Sequence, residues 1–103
     1  MDKDYKSSNF KLTQIEPIKN IGVYNMFINW VIGEFDLYLK NESKQLKIFY
    51  PNGWFKIRKI YEYEDRISIE IMVEGKSKIG CNKIMDQVQT IYNHVISFQK
   101  YRN

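Results

Sequence analysis

The alternation of polar and apolar residues from Arg66 to Glu74 constrains this chain more than any other feature of its sequence. Side chains of a β-strand point alternately to opposite faces, so a period of two predicts a strand with one buried face and one solvent face. The inward side chains would be Ile67, Ile69, Ile71 and Val73. Such a strand needs an apolar layer against its buried face.

A C-terminal helix is predicted to supply that layer. Apolar residues recur there at spacings of three and four, which is the period of an amphipathic α-helix. The stripe consists of Cys81, Ile84, Val88, Ile91, Val95 and Phe98, widened by Met85 and Tyr92. Asn82 is of a residue type that caps helix N-termini, so we predict that the helix begins there.

Four further segments have the alternation, or the β-branched and aromatic content, that is typical of strands. They run from Phe10 to Ile18, Phe35 to Lys40, Lys44 to Tyr50 and Trp54 to Tyr61, with a polar turn at 41–43. Pro17 cannot donate a hydrogen bond to a neighbouring strand, so the first of these segments suits an edge of the sheet.

The segment from Val23 to Ile32 is ambiguous. Asn25 and Asn29 are four residues apart and would share one face of a helix, but Val, Ile, Phe, Tyr and Trp dominate and favour a strand. Gly33 and Glu34 follow, and a glycine in the first position is typical of a type II′ hairpin turn. We therefore predict a strand that ends in this turn, with a helix as the alternative.

The Asn52–Gly53 pair between two apolar runs is a strong hairpin signal, since a type I′ turn needs positive φ at both positions. The register that follows pairs Tyr50 with Phe55 and Ile48 with Ile57 on the core side.

A second hairpin turn is predicted at 63–65. A three-residue turn at this place puts Arg58 opposite Glu70 and Trp54 opposite Glu74. Such cross-strand pairs stabilise a sheet modestly, by about 0.2–1 kcal/mol each.

These elements predict an α+β protein, an antiparallel β-meander of four to six strands packed against a long C-terminal helix. The chain has 103 residues, which is the size of one domain. We assign residues 9–103 to that domain and predict a flexible N-terminus at 1–8, where the residues are mostly polar.

The composition favours a cytoplasmic protein that does not enter membranes. One cysteine cannot form an internal disulfide, the first eight residues lack the apolar run of a signal peptide, and asparagines interrupt the longest apolar patch. The absence of alanine and the abundance of Lys, Ile and Asn indicate AT-rich codons and a low-GC bacterial origin. A net charge of +4 is a weak indication of an acidic partner.

The residues that catalysis needs are scarce. His94 and Cys81 are the only residues of their types, and one helix would hold them about 20 Å apart. They cannot fill a zinc shell, and the isolated glycines form no loop that could cradle a phosphate. We therefore expect no enzyme activity, no metal and no cofactor.

A basic strip remains as the candidate site. It consists of Lys47, Phe49, Trp54, Lys56 and Arg58, which would alternate with the core residues of one hairpin. Aromatic and basic residues of these types are found at protein–protein hot spots, and they also hold single-stranded nucleic acid. A third interpretation is that the N-terminal segment covers Phe49 and Trp54 while Glu70 and Glu74 pair with Lys56 and Arg58.

We expect a non-catalytic binding protein that docks on a larger protein partner, as a monomer or a homodimer. Small size, high aromatic content and AT-rich composition suit an inhibitor or adaptor encoded by a phage or mobile element, such as an anti-defence protein. The alternative is a nucleic-acid-binding accessory protein of plasmid transfer, replication or transcription that uses a β-ribbon. No predicted helix-turn-helix supports the alternative, because the terminal helix has no partner helix a short turn away.

Overall fold

A computed structural model describes residues 9–63 and 66–102. Its elements follow in the order β1 (Phe10–Ile18), α1 (Ile21–Glu34), β2 (Leu39–Glu42), β3 (Leu46–Tyr50), β4 (Gly53–Tyr63), β5 (Arg66–Gly75) and α2 (Lys78–Arg102). The strands form one antiparallel sheet with the spatial order β1-β5-β4-β3-β2, so the predicted α+β class is confirmed. The N-terminus predicted to be flexible and the predicted turn residues Glu64 and Asp65 lie outside the described residues.

Strand β5 lies at the centre of the core. Its four predicted inward side chains, Ile67, Ile69, Ile71 and Val73, are all buried, as the alternation predicted. Both helices pack on that face of the sheet and on each other. The ring of Phe27 on α1 meets the ring of Tyr92 on α2 edge-on at 5.9 Å, and the Tyr92 hydroxyl donates to the Pro17 carbonyl at 2.7 Å. This contact ties α2 to the edge strand β1.

Helix α1 replaces the strand that we predicted from Val23 to Ile32, so that prediction was wrong. The side chain of Asn20 caps the helix by accepting a hydrogen bond from the Val23 amide at 3.0 Å. Val23, Phe27 and Val31 are spaced by four and are all buried, so one helical stripe carries the packing. Burial of this stripe outweighs the β-propensity of its residues, because tertiary packing overrides local preference.

The predicted turn and strand after this segment also differ from the structure. Gly33 and Glu34 are the last residues of α1 rather than a type II′ turn, and Gly33 does not have a positive φ. Phe35 leaves the helix and packs edge-on against Phe55, with ring centroids 4.9 Å apart. Because Phe35 is held in the core, β2 begins only at Leu39, and the predicted turn residues Asn41 and Glu42 belong to the strand.

The hairpin between β3 and β4 keeps the predicted faces but not the predicted pairs. Tyr50 pairs with Gly53 and Ile48 pairs with Phe55, a shift of two residues from the predicted register. Proline fixes φ near −65°, so Pro51 can occupy the first turn position and Asn52, with φ 73°, the second. A slip of two leaves every side chain on its original face, whereas a slip of one would have inverted them.

The β4–β5 pairing confirms the two predicted cross-strand pairs, Arg58 with Glu70 and Trp54 with Glu74. This register was predicted from a three-residue turn at 63–65, but the structure reaches it in another way. Tyr63 pairs with Arg66, and a bulge between Lys59 and Tyr61 absorbs the extra residue. A bulge changes the phase of side chains beyond it, which alternation alone cannot reveal.

The N-cap of helix α2 lies five residues earlier than predicted, at Ser77, so Asn82 is not its cap. The Ser77 hydroxyl accepts a hydrogen bond from the Gly80 amide at 3.0 Å and performs that role. The predicted apolar stripe is buried from Cys81 to Val95, but Phe98 is 40% exposed and its ring lies 6.2 Å from that of Trp30. No helix in the described part of the chain is long and apolar enough to cross a membrane.

Substitutions at two glycines test the observed β3–β4 hairpin and helix α1. A Cβ at Gly53 would lie 2.3 Å from the Glu74 carbonyl oxygen, whereas a Cβ at Gly33 would meet nothing within 4 Å. We expect Gly53→Ala to destabilise the fold by about 1–3 kcal/mol or more, because backbone must move. Gly33→Ala should stabilise it by about 0.5–1 kcal/mol, because alanine is favoured inside a helix.

Denaturant unfolding of the two variants measures both effects. Destabilisation by Gly33→Ala would contradict the helix and support a turn with positive φ at that glycine.

Candidate functional site

Within residues 9–63 and 66–102, no helix packs on one face of the sheet, which we call the open face. It carries the side chains that alternate with the core residues on all five strands. Paired residues form rows across it: Leu39, Phe49, Trp54, Glu74 and Lys11 in one row, and Asn41, Lys47, Lys56, Met72 and Thr13 in the next. The open face is therefore a continuous surface across the full width of the sheet.

All five residues of the predicted basic strip lie on the open face. Phe49 is directly opposite Trp54, and Lys47 is directly opposite Lys56. The structure thus brings the two aromatic residues into one row and the two lysines into the next. Arg58 follows on β4, one row further from the turn.

The two lysines converge on the Trp54 ring. The Nζ of Lys47 lies 4.3 Å from the ring centroid of Trp54 and 5.3 Å from that of Phe49. The Nζ of Lys56 lies 5.8 Å from the Trp54 centroid. Cation–π attraction at an exposed site is worth about 0.5–1 kcal/mol and partly offsets the repulsion between two directly opposed ammonium groups.

Arg58 is in a different electrostatic environment from the lysines. Its Nε donates to Glu70 Oε1 at 2.7 Å, so its charge is already compensated. Lys47 and Lys56 make no ion pair with any carboxylate among residues 9–63 and 66–102. One interpretation of the sequence paired Lys56 and Arg58 with Glu70 and Glu74. The structure shows such a pair for Arg58 and none for Lys56 within the described residues.

Glu74, the other acidic residue in that interpretation, has a different partner. Its Oε2 accepts a hydrogen bond from the Asn9 side chain at 3.1 Å. The same interpretation also expected the N-terminal segment to cover Phe49 and Trp54. Residues 1–8 lie outside the described residues, so this part stays a prediction.

Tyr50 fixes the turn end of this hairpin from the core side. Its hydroxyl donates to the Glu74 carbonyl at 3.0 Å and lies 3.8 Å from the Cys81 Sγ. Burial, together with the neighbouring thiol and the Glu74 carboxylate, raises the pKa of this hydroxyl. The hydroxyl therefore stays protonated and remains a donor, which ties β3 to β5 beneath the aromatic row.

Residues outside the predicted strip extend the open face. Leu39 is 76% exposed beside Phe49, and Tyr61 and Tyr63 stack loosely at 6.5 Å on the far end of β4. Alternation could not have assigned the tyrosines to this face, because the bulge at Ile60 shifts their phase. Leu39 was not predicted as part of this face, because its strand was predicted to begin at Phe35 rather than at Leu39.

The catalytic candidates do not come together. Cys81 is fully buried near the start of α2, where its thiol donates to the Phe10 carbonyl at 3.7 Å. His94 is exposed on α2 and lines a shallow cleft of about 370 Å³ with Glu34 and Asp86. Within the described residues, no three His, Cys, Asp or Glu side chains are placed to hold a metal ion. The absence of catalysis, cofactor and metal stays a prediction.

Comparisons with known proteins leave the site to be interpreted from its own geometry. No known protein family matches this chain, and no curated protein matches it significantly.

Alanine substitutions at two adjacent residues on opposite faces, Trp54 and Phe55, test whether Trp54 is a surface residue or a core residue. Phe55 is fully buried, whereas Trp54 lies on the open face. We expect Phe55→Ala to cost about 3–5 kcal/mol, because it leaves a core cavity. Trp54→Ala should cost no more than about 2 kcal/mol, because it removes only cross-strand and cation–π contacts.

Thermal or denaturant unfolding of both variants compares the two losses. Similar losses would mean that Trp54 is part of a core and would contradict the open face as a binding surface.

Proposed function

We propose that this chain is a non-catalytic binding protein that docks on a larger macromolecule through its open face. The observation that carries the proposal is the one-sided covering of the sheet. Both helices lie on one face, and Phe49, at 39% exposed, and Leu39 remain in solvent on the other. Aromatic and basic side chains grouped on a rigid surface are typical of binding sites.

The rigidity of the support strengthens this proposal. Each strip residue is on a strand, and the hydroxyl of Tyr50 fastens the hairpin that carries Phe49 and Trp54 to β5. A surface held in this way loses little conformational entropy on binding, which favours affinity.

The proposed role is that of an inhibitor or adaptor acting in the cytoplasm, encoded by a phage or mobile element. This part rests on the small size, the single cysteine and the AT-rich composition. A protein of this kind acts by occupying a partner stoichiometrically, without turnover.

A capture experiment with matched charge changes tests the proposal. The immobilised chain is exposed to lysate of the bacterial host, with and without nuclease. It is used as wild type, as Lys56→Glu and as Lys83→Glu. Lys83 is exposed on α2, so its substitution changes the net charge equally but on the other side of the molecule. We expect Lys56→Glu to abolish stoichiometric capture and Lys83→Glu to preserve it.

Capture that survives Lys56→Glu but is lost with Lys83→Glu would place the binding surface on the helices and contradict the proposal. Nuclease sensitivity of the captured material separates a protein partner from a nucleic acid.

A further inference from the structure

We propose that the occupant of the open face is single-stranded nucleic acid, with bases stacked on Phe49 and Trp54 and phosphates held by Lys47 and Lys56. This inference rests on the proposed function and names the class of its partner. It departs from the protein partner expected from the sequence, and the reason is the charge arrangement of the strip.

The opposed lysines are the first observation. Like charges directly opposite one another destabilise a sheet, and Lys47 and Lys56 face each other without a carboxylate partner in the described part of the chain. Their residual repulsion is removed when a polyanion binds between them. Phosphates of nucleic acid supply closely spaced negative charges, and their neutralisation releases counterions.

The type of cation is the second observation. Arginine is enriched in protein–protein interfaces, whereas lysine is depleted from them. The one arginine of the strip, Arg58, is already engaged by Glu70 at 2.7 Å, and the two strip cations without a carboxylate partner among residues 9–63 and 66–102 are both lysines. The strip therefore fits phosphate better than it fits a protein surface.

The aromatic row is the third observation. Phe49 and Trp54 lie side by side on the open face, next to the lysine row. Aromatic side chains on the exposed face of an antiparallel sheet stack unpaired bases, and they do so without sequence readout. The lysines that now lie over the Trp54 ring have flexible stems and can move from the ring to phosphates.

The fold favours a single strand over a duplex. Both helices lie on the opposite face, so neither can enter a groove from this surface. Bases in a duplex are stacked on each other and cannot stack on Trp54. Base faces and phosphates are common to DNA and RNA, so the site should hold both with similar affinity.

Fluorescence anisotropy with a labelled oligothymidylate of about 12 nucleotides tests this inference, at about 50 mM and about 200 mM salt. We expect a micromolar or tighter Kd at the lower salt, with steep weakening at the higher salt. Oligouridylate should bind comparably, and a duplex of mixed sequence should bind more weakly. Binding to neither single strand at low salt, or tighter binding to the duplex, would overturn the inference.

Charge variants locate the phosphate contacts. Lys47→Gln with Lys56→Gln should reduce the slope of log K against log salt by about 1.4, because each phosphate contact on a single strand contributes about 0.7. The control is Lys78→Gln with Lys83→Gln, which changes the net charge by the same amount but at exposed positions on α2, away from the open face. It should keep the slope and an affinity within about twofold of wild type. An unchanged slope in the lysine variant would overturn the inference.

Trp54 variants test the stacking. Trp54→Ala should weaken binding at least about fivefold, and Trp54→Phe, which keeps an aromatic face, should restore most of it. Equal weakening by both would mean that the indole supports the fold rather than stacking a base, which contradicts this assignment.

The two proposals fail in different ways. If oligothymidylate does not bind but a captured protein depends on Lys56, the inference is wrong and the proposed function stands. If neither nucleic acid nor protein requires the open face, both are wrong.

Discussion

Burial of the apolar side of β5 in one core with two helices is the interaction on which the rest of this structure depends. Ile67, Ile69, Ile71 and Val73 belong to the same core cluster as the buried stripes of α1 and α2, and the two helices meet at Phe27 and Tyr92. Both helices of the described chain lie on one side of the sheet, so no described helix packs on the other side. The one-sided core and the open face are thus two results of the same packing.

The open face places two lysines directly opposite one another beside two aromatic rings. Like charges directly opposite one another cost stability, and the cation–π contacts of Lys47 and Lys56 with the aromatic rings offset that cost only in part. Arg58 and Glu70 show the neutralised arrangement one row away. On our proposal, Lys47 and Lys56 are the cations that a ligand would contact, whereas Arg58 is already paired within the fold.

Sequence periodicity predicted the parts of this fold in which local pattern and tertiary packing agree. The alternation in β5, the stripe of α2 and the faces of the β3–β4 hairpin are of this kind, and the strip residues followed from the hairpin. Helix α1 was wrongly predicted as a strand, because its buried stripe at Val23, Phe27 and Val31 is made of strand-forming residues. The bulge at Ile60 left no periodic signal, so the exposed tyrosines beyond it were not recognised.

Nuclear magnetic resonance mapping of an oligothymidylate titration into ¹⁵N-labelled protein tests the central claim most directly, because it reports the position of the bound strand residue by residue. The account predicts that the Trp54 indole N–H and the amides of β3 and β4 shift most, while α1 and the exposed side of α2 are unchanged. Shifts concentrated on the helices, or none at saturating oligonucleotide, would contradict it.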